Sequence, residues 1–198
     1  MTIATQPWLS ADCGVFAHKA TKGARSQWTE GAEVASPRRT ARHYAQTCAE
    51  WGEKHLADND HIARLVSLAE RVADSAEGSG LPLFSGWRAE PRPELLSSRL
   101  IHLFFVLREW RGGLHLNATT AMGLGPVEAI LTNEGEGQAR GFGWTGPFPD
   151  CSGLSMRHDE AEAITDQLAG VVYERALSPA ERAEFAELVG SVGSRILG

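Results

Sequence analysis

Eight consecutive residues, Leu100-Ile101-His102-Leu103-Phe104-Phe105-Val106-Leu107, constrain this fold more than any other stretch of the chain. They lie in a segment from about Pro93 to Gly112 whose pattern predicts a helix. A helix that is apolar nearly all round has no side to offer water, so it has to be the central element, enclosed by others. Gly112-Gly113 is expected to break or kink it, with a further helical piece running to Met122 and a short one over Val127–Leu131.

The elements that would enclose it are also legible. Ser36-Pro37 opens a helix, with serine as N-cap and proline at the first helical position. Its stripe is Tyr44, Cys48, Trp51 and His55. Asp58-Asn59-Asp60 restarts the chain, and Ile62, Leu65, Val66, Ala69, Val72 and Ala73 form an amphipathic face that Gly78-Ser79-Gly80 ends. Leu81 to Pro93 reads as an extended connector. After the central helix, residues 132–153 hold six glycines (135, 137, 141, 143, 146 and 153) and two prolines (147 and 149), and predict a Gly-rich loop or small hairpin. A helix from near Met156 would carry Ile164, Leu168 and Val171 on one face. The last helix starts on a capping box, Ser178-Pro179-Ala180-Glu181, with Phe185, Leu188, Val189, Val192 and Ile196 as its stripe. The class is therefore mainly all-α.

At 198 residues one domain is expected. It divides into an N-terminal segment (1–35, with a short helix near Ala11–Lys19), a helical core (36–131), the Gly-rich flap (132–153) and a terminal helical pair (154–198). The formal net charge of −6 argues against a broad electrostatic footprint for nucleic acid. The three cysteines, Cys13, Cys48 and Cys151, are widely spaced and form no CxxC pair, so neither a zinc knuckle nor a disulfide framework is readable. Cys48 falls on an apolar stripe and is expected in the core. With no secretory leader pattern and no apolar stretch of spanning length, a cytoplasmic protein without membrane association is expected.

The polar residues of most interest follow the apolar run. Arg108, Arg111 and His115 stand at i, i+3 and i+7, one face of a helix that continues past Gly112. Charges on a central helix cost free energy unless they are paired or used. In one reading the guanidiniums hold an anionic group and His115 moves a proton or ligates haem. In the other, Arg108 and Arg111 pair with carboxylates of the last two helices. The candidate site is thus His115, Arg108 and Arg111 as catalytic residues, with Glu109, Trp110, Asn117, Phe105 and Trp144 as ligand contacts. No metal is expected. His158 and Glu162 share a face at i, i+4, but no further ligand stands at useful spacing, and acids are favoured in a first turn anyway. Gly141-Phe142-Gly143-Trp144-Thr145-Gly146 matches GxGxxG, yet Pro147-Phe148-Pro149 blocks the helix that a dinucleotide fingerprint needs. A flap carrying Phe142, Trp144 and Phe148 over a pocket fits better.

Gly80-Leu81-Pro82-Leu83-Phe84, then Leu107-Arg108-Glu109-Trp110-Arg111-Gly112-Gly113-Leu114-His115, then Ala121-Met122-Gly123-Leu124 with Glu128-Ala129, together resemble an actinobacterial family of MarR-like helix-turn-helix proteins. The likeness runs over roughly residues 28–197. It implies that the final helices, Ala161–Leu177 and Ser178–Leu197, form a dimerisation arm. Where relatives would place a recognition helix, this chain has Gly141 to Cys151. Glycine and proline there do not build a helix that fills a major groove, so the resemblance implies that DNA binding has been lost.

Three functions are weighed. The first is a small-molecule-binding or small-molecule-converting protein, a cofactor-free acid–base enzyme of a biosynthetic pathway (cyclisation, isomerisation or elimination), with its pocket between the 93–122 helix and the flap. The alternative is a MarR-like ligand-responsive transcriptional regulator or binding protein. The third is haem binding through His115 or another of the seven histidines. The expected partners are a small molecule and a second copy of the chain, with no nucleic acid.

Overall fold

The computed structural model describes residues 29–197, and within them every regular element is a helix. The helix expected near Ala11–Lys19 lies outside the described residues. A short helix α1 (29–34) leads into α2 (Pro37–His55), whose first turn is capped by the Ser36 hydroxyl accepting from the Arg39 amide. The chain then forms α3 (Asp60–Ser75), α4 (Pro82–Arg88), α5 (Leu96–Ala121), α6 (Pro126–Asn133), α7 (Gly135–Gly141), α8 (Ser155–Ala176) and α9 (Pro179–Leu197). None of the described helices is long and apolar enough to cross a membrane.

Helix α5 is the axle. It packs against α2, α3, α4 and α8. Leu100 and Leu103 are fully buried, and Val106 and Trp110 almost so. The α3 stripe is buried throughout, from Ile62 to Ala73, and Asn59 caps that helix by accepting from the Ile62 amide at 3.0 Å. At the far end the capping box forms as the sequence predicts. Ser178 N–H donates to Glu181 Oε2 at 2.9 Å, and Glu181 N–H donates to Ser178 Oγ at 3.3 Å. Arg64 and Arg71 reach from α3 to Glu184 and Glu181, tying α9 to the bundle through partly exposed ion pairs.

Four expectations are corrected. The connector Leu81–Pro93 is not extended throughout, because Pro82 starts α4 at a position where proline's missing N–H costs nothing, and Phe84 and Trp87 are buried beneath it. Gly112-Gly113 does not break α5, which continues as one helix to Ala121. A side chain at Gly113 would stand 2.7 Å from Leu81 Cδ2, so the glycine makes room for the α4 entry rather than ending a helix. Helix α5 ends instead at Gly123, where φ is +70° and the Leu124 amide returns to the Thr119 carbonyl.

The third correction concerns the Gly-rich loop or hairpin over 132–153. Its first part is helical, and no strand occurs among the described residues. Gly135 takes φ +80° between α6 and α7, fully buried Ala139 anchors α7, and Arg140 pairs with Glu136 one turn back at 2.9 Å. The irregular segment is confined to residues 142–154. The fourth concerns α8, where the apolar face read from the sequence is not the one buried. Ala161, Thr165, Ala169, Val172 and Ala176 face inward, while Leu168 and Val171 are 46% and 58% exposed. Small residues let α8 approach α5 closely, and the larger apolar side chains are left on the outside.

The same logic governs the α2–α5 seam. Only Ala41 and Gly52 of α2 are buried. A Cβ on Gly52 would lie 2.8 Å from the Ser97 carbonyl oxygen and 2.9 Å from Ile101 Cγ1. Gly52→Ala is therefore expected to destabilise the protein by about 1–3 kcal/mol, because backbone rather than a flexible side chain must move. Gly113→Ala should cost less, since Leu81 can turn aside. Urea unfolding followed by circular dichroism checks the order of the two.

Candidate functional site

Because α2 buries so little, the seam between it and α5 is incompletely filled. A cavity of about 420 Å3 lies there, lined by Thr47, Cys48, Trp51, Ile101, Phe104, Phe105 and Arg108. A smaller one of about 230 Å3 adjoins it and shares Cys48 and Phe105; its polar lining includes Arg42, Glu90, Ser98 and His102. The Tyr44–Cys48–Trp51–His55 stripe predicted for α2 is thus real in spacing but is not core. Tyr44 and Trp51 are partly exposed, Trp51 stacks on His55 at 4.5 Å, and Cys48 is a half-buried wall of both cavities. Burial pushes the Cys48 thiol up from its ordinary range.

Two polar groups belong to this space. Arg108 lines the larger cavity and donates from Nη1 to buried Glu109 Oε1 at 2.8 Å. His102 lines the smaller cavity, and its Nε2 is buried without a hydrogen-bond partner among the described residues. Trp87 presses on its ring edge to face at 6.2 Å. Burial, helped by Arg92, pushes the His102 pKa down to about 4. An imidazole kept neutral with one unanswered nitrogen is a ready hydrogen-bond partner for something placed in the cavity. Sequence reasoning passed over His102 because it sits within the apolar run. The signal was there, since it is the run's one titratable side chain.

The remaining candidates do not converge on that space. Arg111 turns toward α8, donating to Glu162 Oε2 at 2.9 Å and Asp166 Oδ1 at 3.2 Å. His115 turns the same way, with Nδ1 3.3 Å from Thr165 Oγ1 and 3.7 Å from Glu162 Oε1, and its ring meets His158 edge to face at 6.1 Å. Burial pulls the His115 pKa down; Glu162 opposes this, and Arg111 and His158 add to it. The shared helical face of Arg108, Arg111 and His115 is wide enough that Arg108 faces α2 while the other two face α8. Trp110 is a core residue against Tyr173, with ring centroids 6.0 Å apart. Asn117 is exposed.

Phe105 is the one predicted ligand contact besides Arg108 that lines the cavities. Trp144 lines neither of these two cavities, and its buried Nε1 has no hydrogen-bond partner among the described residues. Phe148 instead lies under the Arg140 guanidinium, 4.8 Å away. The GxGxxG stretch has neither strand before it nor helix at Pro147, which removes the geometry of a dinucleotide site.

A family model described as a helix-turn-helix family matches residues 4–148, well over half of the chain. The chain belongs to this helix-turn-helix family. The match takes in α1 to α7 and stops before α8 and α9. No curated protein matches the chain. No solved structure matches it either. The short helices α6 and α7 lie within the matched segment and pack on each other. Their charge is unhelpful to a phosphate backbone: Glu128, Glu134 and Glu136 stand against Arg140 alone.

His102 carries a pH dependence of known sign. Its folded pKa of about 4 lies below the ordinary 6.5, so below pH 6.5 the unfolded chain binds the extra proton and stability falls as pH falls toward 4. By pH 4 the loss from this group amounts to about 3 kcal/mol. His102→Leu is expected to flatten that part of the profile, read as the difference in urea midpoint between pH 7 and pH 4.5 for the two proteins.

Proposed function

We propose that this protein is a ligand-responsive member of the helix-turn-helix family, MarR-like in descent, in which an apolar molecule bearing an anionic group occupies the seam between α2 and α5. The observation that carries the reading is the pair of adjoining cavities, apolar in lining, with Arg108 at one end and the unanswered His102 nitrogen at the other. Concave, mostly apolar space with a few convergent polar groups is how small-molecule sites are built. The guanidinium would take the anion and His102 a hydroxyl or carbonyl. Family membership supports a regulator over an acid–base enzyme, as does the engagement of Arg111 and His115 by α8. The acidic α6–α7 pair favours a second version of the same reading, a binding protein of helix-turn-helix descent that no longer grips DNA.

Anilinonaphthalene sulfonate, an apolar fluorophore with an anionic head, is a suitable probe. It is expected to bind the full-length protein, and Arg108→Met to weaken binding about ten- to hundredfold, the worth of a hydrogen bond to a charged group. Arg140→Met should leave it unchanged. Equal affinity in wild type and Arg108→Met would sink the assignment. Selection from random duplex DNA separates the two versions: an enriched operator sequence supports the regulator, and no enrichment supports the binding protein.

The reading includes a homodimer. Ile164, Leu168 and Val171 form an apolar stripe at i, i+4 and i+7 on the outer side of α8, two of them exposed. Val171→Glu is expected to turn a dimer into a monomer in light scattering at micromolar concentration.

A further inference from the structure

We propose that His115, His158 and Glu162 form a binding site for a divalent first-row transition metal of the zinc class, held between α5 and α8. Each residue offers one ligand atom, and the three atoms lie within 4.8 Å of one another. A tetrahedral zinc ion with these ligand types spaces its donors about 3.3 Å apart, so modest side-chain rotation closes the set around an ion. Two imidazoles with one carboxylate suit zinc, cobalt or nickel and not magnesium or calcium, which prefer oxygen donors throughout. Three protein ligands leave a fourth tetrahedral position open. The site is half-buried, with His158 the most enclosed and His115 and Glu162 partly exposed, so an ion can enter and a small ligand can follow.

The surroundings suit a cation. His158 and Glu162 stand one turn apart on α8 and therefore point the same way. The Arg111 guanidinium holds Glu162 by Oε2 at 2.9 Å, which leaves Oε1 turned toward His115. Arg111 also engages Asp166, so one cationic side chain is balanced by two carboxylates and the cluster keeps net negative charge before any ion arrives. The Thr165 hydroxyl spends its single hydrogen on the Ala161 carbonyl at 2.7 Å. It stands 3.3 Å from His115 Nδ1, the ring nitrogen that also faces Glu162 Oε1. The helix-turn-helix match ends before α8, so the family segment supplies one ligand and the rest of the chain supplies two. An ion there would fasten α8 to the central helix.

The experiment is cobalt(II) titration of the full-length, chelator-treated protein, followed by its visible absorption, with zinc(II) competition and thermal unfolding of the same samples. One equivalent of cobalt is expected to bind with the visible bands of a low-coordinate site, to be displaced by zinc, and zinc is expected to raise the unfolding temperature. Glu162→Gln and His158→Gln should each weaken cobalt binding at least about tenfold and abolish the thermal shift. His61→Gln, which alters an exposed histidine on α3, should change neither. Glu162→Gln replaces a partly exposed side chain and keeps its shape, so it remains a valid test if His158→Gln fails to fold. Cobalt affinity unchanged in Glu162→Gln, or a wild-type chain that binds cobalt no more tightly than that variant, overturns the proposal.

Discussion

Everything in this molecule answers to the demand that the first half of α5 be enclosed. A helix apolar on all sides cannot rest on a single neighbour, and four helices are drawn around it. How closely each approaches is decided by the residues at its contact face. Helix α8 comes in on alanine and threonine, and α4 enters through the space left by Gly113. Helix α2 touches closely at Gly52, and away from that point it is too thinly apolar to fill the seam. The cavities are the consequence. They exist because the central helix needs a cover on that side and the cover supplied has only two buried residues.

Periodicity made the amphipathic parts of this fold legible and failed where contact, not hydropathy, chose the face. The α3 stripe could be read because four of its six residues, Ile62, Leu65, Val66 and Val72, are large enough to drive burial. On α8 the eye goes to Ile164, Leu168 and Val171, yet close helix packing selects the small residues a third of a turn away. Helix α4 was hidden by its prolines, one of which begins the helix instead of preventing it. Helix α7 was hidden by glycines, since nothing local announces that Ala139 will be fully buried.

The candidate site shows the same division. Spacing placed Arg108, Arg111 and His115 on one side of α5, which is correct for a helix seen alone. It could not say that two different neighbours would share that side and take different members of the set. His158 and Glu162 were visible as a pair one turn apart, but the imidazole that joins them comes from a helix distant in sequence, and only the packing of α8 on α5 brings it there. His102 escaped for the opposite reason. Its neighbours in sequence are so apolar that it reads as part of the wall, whereas in space it joins the polar groups lining the smaller cavity with a buried, unanswered nitrogen.

Cys48 and Phe105 border both cavities and are the wall that the two have in common. Phe105 is stacked on Trp87 at 5.3 Å and met edge to face by Tyr44 at 5.8 Å. Phe105 is thus held by two other aromatic rings while it faces both chambers, so the shape of the seam is tied to how firmly three aromatic rings hold together.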